Sequence, residues 1–353
     1  MKIEDIDSNF KTATISGRKL NFLNIEQKPF RLCGFAWYEK EHKFCRLPES
    51  IMDKVNDGVK ILAWNTSGGM LRFRTNSKTI AIKAELLSIS NVPTMANSGT
   101  SGFDIYIGNG EKKKYQRSAY PAGNAKNIES ILIEDMDGEM REYTVNFPLY
   151  NGIKELSLGF EDGCKIEEPS HFKYQKPVLF YGSSITQGGC ASRPGNTYTN
   201  ILGRRLNAEI INLGFSGSCK GEPAIAEAIS SLELSAFVMD YDHNAPSVEY
   251  LKNTHEDFFR IVRKHQPELP VIIISRPNTE HKDVDKRLAV IKKTFDNAVS
   301  NGDKRVYFIN GKALFGKTHR DACTVDSCHP NDLGFMRMAE NIYPILKEAL
   351  NNK

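Results

Sequence analysis

Hydropathy changes rhythm near residue 170, and that change restricts the fold more than any other feature. Before it, apolar and polar residues alternate with a period of two, as in half-buried strands. Leu71-Arg72-Phe73-Arg74, Thr79 to Ala84, Phe103-Asp104-Ile105-Tyr106-Ile107, Ser130 to Glu134, Tyr143-Thr144-Val145 and Lys154 to Phe160 all carry this pattern. The Asp137-Gly138 step predicts a hairpin turn between two of them. Many short strands with Gly- and Asn-rich turns predict an all-β sandwich or jelly roll. After it, short apolar runs alternate with helix-length amphipathic stretches. Strands are predicted at Val178 to Tyr181, Glu209 to Asn212, Ala236 to Asp240, Val271 to Ser275 and Val306 to Ile309. Helices are predicted over Thr197 to Leu206, Pro223 to Ser231, Val248 to His265, Asp285 to Val299 and Asp332 to Asn351. This order predicts a parallel sheet covered by helices on both faces, a three-layer α/β/α domain. The polar, proline-bearing stretch Glu167 to Pro177 is the expected boundary. It divides the chain into a β-sandwich over residues 1–170 and an α/β domain over residues 171–353.

A chain of 353 residues is comfortable for two such units. Its 47 basic and 43 acidic residues leave a net charge of +4, too little to predict nucleic-acid binding. Lys112-Lys113-Lys114 reads as a solvated loop. The opening MKIEDIDSNF lacks the pattern of a secretory signal, and no apolar run is long enough to span a bilayer. Seven scattered cysteines without a C-x-x-C pair predict neither a zinc site nor a redox motif. Reduced thiols in a cytoplasmic protein are the simplest expectation. No internal repeat or low-complexity tract occurs, and self-association is left open.

Two motifs carry the chemistry. Tyr181-Gly182-Ser183-Ser184-Ile185-Thr186-Gln187-Gly188 places Ser184 just after the first parallel strand, at the sheet edge where ligands bind. Asp326-Ser327-Cys328-His329-Pro330 precedes the last helix and offers a base with a carboxylate one helical turn before it. Nucleophile, base and orienting acid are the parts of a serine hydrolase. Ser184 alone also reads as a helix cap, and His329 alone as a surface residue. Donors for an oxyanion are expected from the Ser184 N–H, the Gly217 N–H in Asn212 to Gly217, and the Asn244 side chain in Asp240 to Asn244. A tight turn at Gly217 and a loop amide at Asn244 are the plainer alternatives. Asp240, Asp242 and His243 lie on one short segment with no second cluster, so no metal and no cofactor are expected. Asp242 and His243 are candidate substrate contacts instead. Trp37 and Trp64 could stack on sugar rings, with core packing the competing role. Cys190, Cys219 and Cys328 read as packing residues.

These blocks resemble those of the SGNH (GDSL-type) hydrolases. Gly182-Ser183-Ser184 stands where that family has Gly-Asp-Ser, Gly217 matches its glycine block, and Asp326 to Pro330 matches Asp-x-x-His-Pro. Asp242-His243-Asn244-Ala245 departs from the usual Gly-x-Asn-Asp. Gly102-Phe103-Asp104-Ile105-Tyr106 is similar to the Gly-x-Asp-Leu-Tyr signature of a β-domain that precedes some SGNH esterases. The resemblance implies an esterase with Ser184, His329 and Asp326 as triad. It implies acetylated oligosaccharides of mannan or xylan type as substrate. Two rivals remain open at this point: a lipase or thioesterase on the same core, and an inactive glycan-binding protein.

Overall fold

The computed structural model describes residues 11–277 and 282–352. The reading of the first ten residues as lacking a signal lies outside them. Among the described residues, eleven strands precede residue 170: β1 (Lys11–Ile15), β2 (Arg18–Asn24), β3 (Arg31–Cys33), β4 (Met70–Thr75), β5 (Ile80–Leu86), β6 (Phe103–Ile107), β7 (Lys114–Ala119), β8 (Asn127–Ile133), β9 (Arg141–Asn146), β10 (Ile153–Phe160) and β11 (Ile166–Glu167). They form two antiparallel sheets. One has the order β1-β2-β10-β5-β8; the other runs β11-β4-β9-β6-β7, with β3 also on β4. Alternate residues of both sheets face a shared core that includes Phe73, Phe103, Ile105, Tyr143, Val145 and Phe160.

The Asp137-Gly138 turn does not close a hairpin. β8 pairs with β5 and β9 pairs with β4 and β6, so the turn carries the chain from one sheet to the other. The dipeptide sets a local reversal; which strand each arm pairs with is decided by the two-sheet core.

The parallel sheet holds β12 (Tyr174–Gly182), β13 (Ala208–Gly214), β14 (Ala236–Asp240), β15 (Val271–Ile274) and β16 (Val306–Ile309), in the order β13-β12-β14-β15-β16. The order reverses at β12, which places a crevice at the carboxyl ends of β12 and β14. Short helices α1 (Tyr38–Glu41), α2 (Asp57–Leu62), α3 (Asn97–Thr100) and α4 (Ser184–Gln187) precede the longer α5 (Tyr198–Leu206), α6 (Pro223–Ser230), α7 (Val248–His265), α8 (Val284–Ser300) and α9 (Asp332–Asn351). Strand period two divides the sheet's side chains between two cores. Val178, Phe180, Ile210, Val238 and Ile272 meet α5 and α9. Leu179, Tyr181, Leu213, Met239 and Ile273 meet α6, α7 and α8.

That second core also takes in Cys45, Leu47, Ile51, Val55, Val59 and Ala63, which come from the first half of the chain. Ile51 lies in a 3-10 turn at Glu49–Lys54 and Val59 in helix α2; the others flank these two elements. Asn56 caps α2 by accepting the Val59 N–H at 3.2 Å. Lys113 is not part of a fully solvated loop either. It lines a small cavity between the two halves with Tyr106, Asn200 and Arg204, and burial pushes its ammonium down to about 7.

Candidate active site

β12 ends at Gly182, where a Cβ would lie 2.1 Å from Thr186 Oγ1 and 2.8 Å from the Asp240 carbonyl oxygen. Only glycine lets the next turn fold back against β14. Ser183 then caps α4, its Oγ accepting the Ile185 N–H at 3.2 Å. Ser184 opens the single helical turn, which stops at Gly188 with φ +108°. The side chain of Ser184 is therefore presented at the crevice, although the residue is only 6% exposed.

The candidate base, His329, lies in a closed loop between Thr324 and Pro330. Those two residues form an isolated antiparallel bridge, and the Val325 N–H donates to the His329 carbonyl at 3.0 Å. Ser327 takes a left-handed φ of +63° to make the bend. Within the loop, Asp326 Oδ1 accepts the N–H groups of Cys328 (3.0 Å) and His329 (2.7 Å). Its Oδ2 lies 2.7 Å from His329 Nδ1, and His329 Nε2 lies 2.8 Å from Ser184 Oγ. A carboxylate only accepts, so Nδ1 carries the proton and Nε2 is free to accept from the serine hydroxyl. Burial would push the Asp326 carboxyl up; the His329 and Cys328 backbone donors and the imidazole outweigh it and hold it below the usual carboxylate range. The structure thus brings Ser184, His329 and Asp326 into one hydrogen-bonded line.

Gly217 has φ +65° at an exposed turn. Its neighbours' amides are occupied: Ser216 N–H donates to Gln187 Oε1 at 2.9 Å, and Ser218 and Cys219 donate to the Phe215 carbonyl at 3.1 Å. The Gly217 N–H makes no hydrogen bond among the described residues. Asn244 Oδ1 accepts the Cys219 N–H at 3.3 Å, which orients the amide and leaves Nδ2 without a partner among the described residues. Gln187, unassigned from sequence, anchors the glycine loop to the nucleophile turn. It also donates to the Leu149 carbonyl at 3.1 Å.

Asp242 does not reach substrate. Its side chain is 0% exposed and is gripped by Arg276 Nε and Arg287 Nη1, each at 3.2 Å. The Arg276 N–H adds a bond at 3.1 Å. Burial opposes its ionisation, but Arg276 and its other cationic neighbours win and hold its pKa below the ordinary value. Its role is to pin the turn that carries Asn244, and sequence could not reveal two arginines 34 and 45 residues away. His243 is half-buried beside it. Trp37 is half-buried and packs against the α/β core. Trp64, after α2, stays 39% exposed. Its carbonyl oxygen lies against Gly152, two residues after Tyr150. Tyr150 itself donates its hydroxyl to the Ser184 carbonyl at 3.3 Å. The β-sandwich half therefore touches the nucleophile turn.

Arg46 was also invisible as a site residue. It is 1% exposed and has no carboxylate partner among the described residues. It donates to the carbonyls of Leu62 (2.7 Å), Asn65 (2.7 Å), Asn212 (2.9 Å) and Gly214 (2.7 Å), and lies 4.8 Å from the Phe215 ring centroid. A lone charge inside Phe44-Cys45-Arg46-Leu47 was its one sequence signal. Among the described residues, no group of three or more His, Cys, Asp or Glu gathers as a metal site. No described helix is long and apolar enough to cross a membrane.

Fold and site together define a two-part hydrolase of SGNH type. Residues 175–347 match the GDSL-like Lipase/Acylhydrolase family, and residues 20–166 match the GxDLY domain, the N-terminus of Esterase SGNH hydro-type proteins. The chain is a GDSL-like lipase/acylhydrolase domain preceded by that GxDLY domain. A search of curated proteins gives no match. Among solved structures, a protein described as a GDSL-like lipase from Bacteroides ovatus is 29% identical, with TM-score 0.85 over 95% of this chain and 99% of its own. The salicylyl-acyltransferase of a tetracycline biosynthetic pathway is 16% identical, with TM-score 0.75 over 93% and 97%. An acetyl xylan esterase from the rumen bacterium Butyrivibrio proteoclasticus is 14% identical, with TM-score 0.63 over 93% and 99%. The last two share the fold.

Proposed function

We propose that this chain is a serine esterase that removes acetyl groups from the hydroxyls of hemicellulose-type oligosaccharides. The observation that carries the reading is the unbroken line Ser184 Oγ–His329 Nε2–His329 Nδ1–Asp326 Oδ2, with steps of 2.8 and 2.7 Å. In the proposed reaction Ser184 Oγ attacks the acetyl carbonyl as His329 takes its proton. The Ser184 and Gly217 N–H groups and Asn244 Nδ2 receive the oxyanion. His329 then gives the proton to the departing sugar oxygen, leaving an acetyl-serine. Water attacks that ester, its proton passes to His329 and on to Ser184 Oγ, and acetate leaves. Asp326 remains ionised and stabilises the imidazolium.

Carbohydrate as the leaving group is supported by the fold shared with the acetyl xylan esterase and by the exposed Trp64 ring. The assembled triad favours a working hydrolase over an inactive glycan binder. Acetate release from acetylated manno- and xylo-oligosaccharides tests the reading. Ser184→Ala is expected to lower kcat by at least about 10³-fold. A variant that kept its rate, or a wild type that ignored these glycans and cleaved long acyl esters, would refute it.

A further inference from the structure

The Gly-x-Asp-Leu-Tyr-like segment Gly102–Tyr106 has no part in the chemistry above, yet its geometry leads to the catalytic base. On β6, Phe103 and Ile105 are buried in the sandwich core. By strand alternation Asp104 and Tyr106 face the other way. There they grip the loop that follows α4. Arg193 Nη1 donates to Asp104 Oδ2 at 2.8 Å and to the Tyr106 hydroxyl at 2.5 Å. The Gly195 N–H donates to the same Asp104 oxygen at 2.8 Å. Asn146 Nδ2 holds the other oxygen at 2.7 Å. Asp104 is 0% exposed, and the Arg193 guanidinium lies 3.9 Å from the Tyr115 ring centroid. Ser98 adds a bond to the Ser192 carbonyl at 2.7 Å.

The far side of this loop is bound to the histidine segment. Asp332 Oδ1 accepts the Ser192 N–H at 2.9 Å. Asp332 Oδ2 accepts the Ser192 hydroxyl at 2.5 Å and Asn196 Nδ2 at 2.8 Å. Asp332 is the first residue of α9 and stands three residues after His329. Between them lie Pro330, whose φ is locked and which is buried, and Asn331, which caps the helix.

We propose that Asp104, Tyr106 and Arg193 are positioning residues for His329: the β-sandwich half sets the imidazole's place through the loop Ser192–Asn196 and Asp332. This rests on the serine-esterase reading above. Charged, buried bonds on one side and a carboxylate taking three donors on the other make the loop a stiff spacer. A small shift of Asp332 would lengthen the Ser184–His329 bond, and misplacement of about 1 Å can cost up to about 10²-fold in rate.

The test uses the full chain and the variants Asp104→Asn, Arg193→Met, Ser192→Ala and Asp332→Asn. Glu209→Gln serves as control, because Glu209 accepts the Gly34 N–H at 2.9 Å and so ties the two halves through a bond that does not involve this loop. Measured are kcat and KM for acetate release, the rate of Ser184 labelling by a fluorophosphonate, and the low-field proton signal of His329 Nδ1–H. Expected is a parallel loss of about tenfold in kcat and labelling, with KM within about twofold and the proton signal shifted, in the four loop variants alone. Asp104→Asn and Asp332→Asn should combine less than additively, since both act through one loop. Wild-type kcat and labelling in folded variants would overturn the proposal. So would an equal loss in Glu209→Gln, or a change in KM alone. Ser192→Ala removes one hydroxyl from an exposed residue, so it reports even if Arg193→Met does not fold. Labelling reads Ser184 reactivity without any glycan, so failure of the carbohydrate reading and failure of this inference are told apart.

Discussion

Single side chains in the crevice divide into those that can touch substrate and those that hold them. In the proposed reaction Asn244 belongs to the first group, since its amide is oriented by Cys219 and keeps its donors unused among the described residues. Asn244→Ala should lower kcat by about 10²–10³ with a small change in KM, measured by steady-state acetate release. Asp240 belongs to the second. It accepts the Thr186 and Tyr198 hydroxyls at 3.0 Å each, and burial pushes its carboxyl up from 3.8 to about 7. Between those values the folded protein holds a proton that the unfolded chain has lost, so folding stability falls as pH rises through that window. Asp240→Asn cannot lose a proton. The difference in Tm between that variant and the wild type should therefore move in the variant's favour from pH 4 to pH 8, by scanning calorimetry. A constant difference would show that Asp240 is ionised throughout.

At the scale of elements, the candidate site is four turns, those of Ser184, Gly217, Asn244 and His329. The glycine loop after β13 rests on Arg46, whose five N–H donors meet four carbonyls from two segments. Arg46→Met would leave those carbonyls without their charged donor inside the protein. A loss of about 3 kcal/mol or more in unfolding free energy is expected, measured by urea titration. Weaker Ser184 labelling should accompany it, because Gly214 sits against the backbone of Thr186 and Gln187. The histidine loop is self-closed through the Thr324–Pro330 bridge, so its inner geometry follows from its own short sequence. Its distance from Ser184 does not.

For the molecule as a whole, the division between cores does not follow the division of the sequence into halves. The stretch Cys45 to Ala63 belongs to the first half in sequence and to the α/β core in space. Residues 171–353 produced alone would expose that core face, including Leu213, Phe215 and Ile225. We expect an aggregating product without esterase activity, seen by size exclusion and by loss of fluorophosphonate labelling. Co-expression with residues 1–170 should restore both if the halves dock as described.

Period-two and helical patterns along the chain were enough to define a sandwich followed by an α/β/α layer structure, because those patterns follow from local backbone geometry. The serine and histidine blocks stood out as candidate catalytic blocks by their residue types at strand and helix ends, and the fold brings their side chains within hydrogen-bond distance. Tertiary structure decided the rest. It turned the Asp137-Gly138 step into a crossing between sheets, took Asp242 out of reach of substrate, moved Cys45 to Ala63 into the other core, and joined Asp104 to Arg193 across 89 residues. Each of these depends on which surfaces meet after the layers pack. A pattern with a reach of a few residues carries no record of a partner chosen by topology.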